Sequence, residues 1–447
     1  MKKILFLICA CTLFGCKKYL DYKPDQSIVT PQTIQDLQSI LNNNSIMNAY
    51  SPFTGELGCD DYYLYNADWL PRTTTERNAY VWERDLFNDA ERNDWSLPYV
   101  VVYYANVVLD ELAKEKYYSN QKRDRDNIRG QALFFRAFSY YNLLQVFSKP
   151  YSADSASADL GIALRLSPDP NIATTRASLK DSYDRVVSDL VESVDLLPMY
   201  QPYVTMPSKL AAIAMLARVN LTMGLYSRAQ SFAADALQMN GTLIDYNTVN
   251  GAATLPFARF NAETSFHSVL LFSNTLNSVS KIDTVLYRSY APNDLRRSLF
   301  FRTNTDGSVS FRGSYDGSTR LFNGLSNDEL YLIAAECSAR NGDKNGALDM
   351  LNRLLLKRWK TSTYVPIVAT DAQDALTKIL IERRKELVLR GQRWADLRRL
   401  NKETLFAKSN YRFINNKLYT LYPNDKRYIL PIPNTVITMT GMQQNEL

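Results

Sequence analysis

A chain of 447 residues with 46% hydrophobic and 22% charged side chains is long enough for one large core or two merged ones, with the balance of an ordinary globular protein. The formal net charge is +6, only +4 without Lys2 and Lys3, and no dense Lys/Arg tract interleaved with aromatics occurs, so nucleic acid is not an expected partner. With a single histidine, His267, a His-based metal site or a Ser-His-Asp triad has nothing to draw on, and the scarcity of glycine argues against a turn-rich all-β fold.

The chain opens with Lys2 and Lys3, an apolar run from Ile4 to Leu13, and Leu13-Phe14-Gly15-Cys16. A basic start, a short apolar stretch and a small residue before the cut predict a signal peptide over residues 1–15, too short to span a bilayer. The cysteine directly after Gly15 resembles a bacterial lipobox, which implies that Cys16 is the acylated first residue of the mature protein. Residues 16–30 are then a lipidated tether and the body begins at 31. No later apolar run approaches the length of a membrane span. Cys59 and Cys337 remain in the body, either as one disulfide or, the expected reading, as two buried thiols.

Thr30-Pro31 is a helix-start signal, and Ile34, Leu37, Ile40 and Leu41 follow at helical spacing until Asn42-Asn43-Asn44. Residues 50–90 lack helical periodicity and are rich in aromatics. Helices are predicted from Ser96-Leu97-Pro98, through Ile128 to Val146, and from Leu179 to Leu197. Residues 208–239 and 326–358 each read as helix, Gly-containing turn and second helix with Ala at the contact, the tetratricopeptide pattern. Between them, residues 243–325 read as an irregular insert with short strands. A helix from Ala375 to Arg390, a short one over Arg393–Arg399, and an extended strap at Ile429-Leu430-Pro431-Ile432-Pro433 complete the chain. The fold class is mostly α, a tetratricopeptide-like scaffold with a loop-rich part.

Seven segments in order then resemble the SusD/RagB family of Bacteroidetes outer-membrane lipoproteins. They are Lys18-Tyr19-Leu20-Asp21, Glu56 to Asp61, Trp95 with Tyr99, Ala105 and Asn106, Arg129 to Ala137, Asp328 to Glu336, Ile381 to Leu387 with Gly391 to Arg398, and the closing Leu430-Pro431-Ile432-Pro433 with Gln443-Gln444-Asn445. Ser148 departs from the glycine that the family usually has before its turn, and acidic residues do not directly follow Lys17-Lys18. The resemblance implies attachment to the outer membrane through the lipid anchor and display at the cell surface. It implies a TonB-dependent SusC-like transporter as partner, and capture of oligosaccharides, or in some members peptides, before import. The competing expectation is a tetratricopeptide scaffold that binds only protein.

No HExxH, GxSxG, Walker or EF-hand pattern occurs, so no catalytic residue, cofactor or metal is expected. Adjacent Asp60-Asp61 suits a turn or cap, and the alternating charges of Glu382 to Glu386 suit i,i+4 pairs along a helix. Trp95 and Trp394 fall within helical signatures and are assigned to the core. Sugar rings have apolar faces that flat aromatics match while polar neighbours fix orientation. The expected ligand contacts are therefore aromatics outside the helices: Trp69 and Trp82 foremost, then Tyr62, Tyr63 and Tyr65, with Tyr287, Tyr290 and Tyr315 from the insert. Asn66, Asp68 and Arg72 are the expected polar partners.

Overall fold

The computed structural model describes residues 31, 33–87, 93–114 and 121–446; the expected signal peptide, Cys16 and the tether lie outside them. The frame is a run of helices in which each of the first nine packs on its neighbour in sequence: α1 (Ile34–Leu41), α2 (Ser96–Ala113), α3 (Lys122–Phe147), α4 (Leu179–Leu196), α5 (Lys209–Thr222), α6 (Tyr226–Met239), α7 (Asn327–Arg340), α8 (Lys344–Leu356) and α9 (Ala372–Glu386); a tenth, α10 (Arg393–Leu400), packs instead on α5 and the short helix Thr54–Leu57. Helix α1 starts later than Thr30-Pro31 indicates. Its cap is Thr33, whose hydroxyl accepts from the Asp36 N–H while the Asp36 carboxylate accepts from the Thr33 N–H at 2.9 Å, a reciprocal capping box.

Helix α3 starts in charge, but from Gly130 onward it is buried on nearly every side. Phe134, Phe135 and Phe138 gather around Phe266 of the insert, the Phe134 ring 4.7 Å from it. Each such fully buried ring stabilises the fold by about 1.5–3 kcal/mol. Gly130 lets α4 approach: a Cβ there would lie 2.8 Å from Leu197 Cγ.

The hairpins α5–α6 and α7–α8 turn in the same way. After α5, the Gly224 N–H donates to the Leu221 carbonyl and the Leu225 N–H to Asn220; after α7, Gly342 donates to Ala339 and Asp343 to Ser338. Both glycines have positive φ (76° and 86°), the left-handed step of a Schellman cap. Ala229, Ala233 and Ala236 of α6, and Ala347 of α8, are fully buried at the contact.

Strands build no core. The described residues hold five two-stranded antiparallel sheets: β1 (Tyr62–Tyr63) with β5 (Lys281–Ile282), β2 (Leu160–Ala163) with β3 (Arg176–Ser178), β4 (Thr264–Phe266) with β8 (Leu325–Ser326), β6 (Phe301–Thr303) with β7 (Val309–Phe311), and β9 (Asn410–Ile414) with β10 (Lys417–Leu421). No described helix is long and apolar enough to cross a membrane.

Several expectations change. Residues 50–90 contain three short helices, Thr54–Leu57, Asn66–Trp69 and Thr74–Tyr80, too brief to show a period in sequence. The strap is extended, tied by the Leu430 N–H to the Val146 carbonyl at 2.9 Å, but is followed by a short helix, Asn434–Thr440, that buries no residue fully and rests on the core only through half-buried Val436 and Ile437. Cys59 and Cys337 are free and buried, Trp95 and Trp394 are core residues, and His267 is a satisfied core histidine whose Nε2 lies 2.9 Å from Asp316 Oδ1.

The charged run of α9 is not a solvated face. Glu382, Arg383, Lys385 and Glu386 are buried; one within-helix pair is present, Lys385 with Glu382 at 2.8 Å, but most of their partners are distant in sequence. Arg296 bridges Asp294 (2.7 Å), Glu382 (2.6 Å) and Glu386 (2.9 Å); Arg358 bridges Glu386 (2.7 Å) and Glu263 (2.9 Å); Arg383 meets Asp396 at 2.8 Å. This network joins α9 and α10 to the insert.

Candidate functional site

The strand pair β1–β5 brings the aromatic loop of residues 60–70 against the insert, Tyr62 facing Ile282 and Tyr63 facing Lys281. Strand alternation then sorts the aromatics. Tyr62 and Leu64 point inward; Tyr63 is half-buried and Tyr65 is 43% exposed. Their rings meet edge to face at 5.6 Å. The Tyr63 phenol is pushed up to about 12 by burial, then by its hydrogen bond with Tyr65 and by nearby Asp306 and Asp283, so it stays protonated and able to donate. Asp68 Oδ2 stands 4.0 Å from Lys281 Nζ. Asn66 Oδ1 accepts from the Asn415 N–H at 2.7 Å. Tyr287, in the short helix after β5, is half-buried with Arg297 over its ring at 5.1 Å.

Five of the expected contact aromatics are core residues instead. Trp69 and Trp82 are buried, their indole N–H groups donating to the carbonyls of Arg77 (3.2 Å) and Gly58 (2.9 Å). Tyr62 donates to the Leu57 carbonyl at 2.7 Å, Tyr290 to the Lys385 carbonyl at 2.7 Å, and Tyr315 to Glu263 at 3.1 Å. The physical reason is that each polar tip is satisfied internally, so the whole ring goes under. Arg72 is half-buried beside the Asn66–Trp69 helix, and its Nε has no hydrogen-bond partner.

Tyr62 and Trp82 do grip a cation, one belonging to the chain itself. Arg412 of β9 lies over Tyr80 (3.9 Å), Tyr62 (4.9 Å) and Trp82 (5.5 Å) and donates to the carbonyls of Tyr62 (2.6 Å) and Cys59. That clamp fixes the β9–β10 hairpin beside the aromatic loop. On its outer face Tyr411 is 63% and Phe413 72% exposed, while Arg412 and Ile414 are buried between them. The result is a pocket of about 290 Å³ with Tyr63, Asp283, Lys408, Ser409, Tyr411 and Phe413 at its sides and Tyr62, Tyr80 and Trp82 beneath. Sequence reasoning missed this hairpin. Its signal was Asn410 to Leu421 alternating about Asn415-Asn416, both with positive φ (49° and 58°), as the tight turn of a two-residue hairpin requires.

Asp60 and Asp61 are ion-pair anchors rather than a turn or cap. Asp60 accepts from Arg393 (2.6 Å) and Lys408 (2.6 Å), and Asp61 from Arg384 (2.9 Å). Burial pushes the Asp60 carboxyl up, but Arg393 and Arg384 outweigh it and hold the group well below the usual carboxylate range. Behind them Glu56 is pushed up to about 8 by burial and by Asp61. Glu56, Cys59 and Asp61 present donor atoms within 4.8 Å of one another. Arg384, bonded to Asp61, and Arg393 nearby already supply the positive charge that a metal would bring.

This helical-repeat fold is shared with solved SusD superfamily proteins. One from Bacteroides thetaiotaomicron matches with a TM-score of 0.76 at 22% identity, covering 93% of this chain and 100% of that one. A SusD-like carbohydrate binding protein from Bacteroides vulgatus gives 0.69 at 19%, covering 92% and 97%. SusD-like protein P2 of Formosa agariphila is 24% identical over 96% of each chain. A family described as starch-binding associating with outer membrane matches residues 18–221, and the SusD family matches residues 329–447. The chain belongs to the SusD/RagB family.

Proposed function

We propose that this protein is a binding protein, not an enzyme, anchored to the outer membrane by lipid on Cys16 and facing the cell surface. It captures oligosaccharides and passes them to a TonB-dependent SusC-like transporter. The observation that carries the reading is the aromatic rim: Tyr63, Tyr411 and Phe413 line the pocket together with Asp283, Lys408 and Ser409, and the exposed Tyr65 ring packs edge to face on Tyr63. Exposed flat rings give apolar area at low entropic cost, and the polar groups fix a ligand's orientation. Asn66 and Asp68 follow Tyr65 along the loop, and Tyr287 lies in the short helix after β5, outside the pocket lining. The family assignment supports the carbohydrate class, as does the description of the Bacteroides vulgatus protein.

The test is calorimetric titration of the chain from Lys17 onward with a panel of oligosaccharides and peptides. Saturable binding of one glycan class is expected, weakened at least about tenfold in Tyr63→Ala/Phe413→Ala, whose unfolding midpoint should stay near that of the native protein. Binding of peptides alone would replace glycan by peptide as the ligand. Binding of neither, with retained affinity for the transporter, would leave a protein-binding scaffold.

A further inference from the structure

Away from the aromatic rim, where the C-terminal end of α3 meets α10 and the segment before the strap, lies a second pocket, of about 390 Å³. Its charges do not cancel. Of its acids, Asp159 has Lys149 at 2.7 Å, Asp425 has Arg427 at 2.7 Å, and Glu446 has Lys426 at 3.1 Å. Among the described residues, two lining cations, Arg398 and Lys402, form no ion pair within 4.0 Å, although Glu403 and Asp154 lie near enough to Lys402 to act on it electrostatically. Arg398 is only 3% exposed. Its terminal nitrogens donate to the carbonyls of Leu144, Gln145 and Ser148 at the end of α3, and its buried Nε has no partner. Lys402 donates to the Tyr151 carbonyl at 2.6 Å.

Carbonyl dipoles orient a guanidinium but do not neutralise it, and a buried cation is ordinarily paired. The charge state agrees: burial, with no acid to offset it, pushes Arg398 down to about 10, and burial also lowers Lys402. A concave site with a planar guanidinium fixed in its wall and an ammonium held at its edge by one carbonyl, with donor capacity left over, is a setting for a tetrahedral or planar oxyanion.

We propose that this pocket binds a small oxyanion (phosphate, sulfate or a carboxylate) between Arg398 and Lys402. The anion arrives either free or as the acidic group of a larger solute. The proposal is independent of the aromatic rim and of what binds there.

The experiment is thermal unfolding of the mature protein in detergent, titrated with phosphate, sulfate, glucuronate and glucose at ionic strength held constant with chloride. A saturable rise in midpoint with phosphate and sulfate is expected, about tenfold weaker in Lys402→Met. That lysine is exposed at the pocket edge, so the variant keeps its fold. A response to glucuronate without one to phosphate or sulfate places the anion on a larger solute; both results support the site. No anion-specific rise, an equal rise with glucose, or an undiminished response in Lys402→Met overturns it and leaves Arg398 as a cap for α3 alone.

Discussion

Helices α5–α6 and α7–α8 are held by short-range features: fully buried alanines along the contact and one glycine-centred cap at each turn. The pocket bearing Tyr63 and Phe413 is held by arginines that reach across the chain, Arg412 into the carbonyls of Tyr62 and Cys59, and Arg393 and Arg384 into Asp60 and Asp61; beyond the pocket, Arg296 and Arg358 tie the rest of the insert to α9 in the same way. The turns of the scaffold therefore rest on small local contacts, with one long-range buried pair, Arg218–Glu329 at 2.5 Å, tying α5 to α7, whereas the site region depends mainly on charged side chains whose partners are buried. Breaking a buried pair exposes the cost of the orphaned charge, which exceeds that of a lost surface pair.

The sharpest way to break that contrast is Arg358→Ala. It leaves Glu263 and Glu386 without their bridge, and a destabilisation of about 3–5 kcal/mol is expected in urea unfolding. A loss near that of an exposed ion pair would show that the network adds little. Next in size is Glu56. Its carboxyl titrates near 8 when folded, raised by burial and by Asp61, against an ordinary 4.5. The folded state thus binds the proton more tightly. The contribution is complete below 4.5 and is lost as pH rises to about 8, a fall on the order of a few kcal/mol. Glu56→Gln should flatten the decline between pH 5 and pH 8, measured by denaturation across that range. An unchanged slope would move the titration to another group, Glu263 being next, at about 7, and then Asp94, at about 6. The smallest effect is expected in the scaffold. A Cβ at Gly342 meets nothing within 4 Å, so Gly342→Ala registers backbone strain alone, about 1–2 kcal/mol, and Gly224→Ala should match it, its nearest contact being 3.8 Å away. Unequal losses at the two glycines would mean that the hairpins are not equivalent.

The same contrast decides what could be read from the sequence. Alanine spacing, Gly224 and Gly342 are local signals, so both hairpins and the fold class were legible. Glu382 to Glu386 looked like a surface run because its partners, Arg296, Asp294 and Arg358, lie elsewhere in the chain and no period marks them. Trp69, Trp82 and Tyr62 have the residue types of a sugar platform, but composition does not distinguish a ring facing solvent from one capped by Arg412 or by a carbonyl. Tyr63 and Tyr65 were legible as aromatics in a loop. Their exposure came only from the pairing of β1 with β5. Tyr411 and Phe413 sit in an alternating stretch around Asn-Asn that carries its own signal.

The pairing of Tyr62–Tyr63 with Lys281–Ile282 joins segments from opposite halves of the chain, and Arg412 adds a third from near its end. The consequence is one of time. Hairpins such as α5–α6 close short loops and form early, while a cleft assembled from three remote segments must wait for long loops to close. During refolding, amides of α5 and α7 are expected to gain exchange protection before those of β1, β5 and β9. A folding intermediate would then carry an intact scaffold and no ligand pocket.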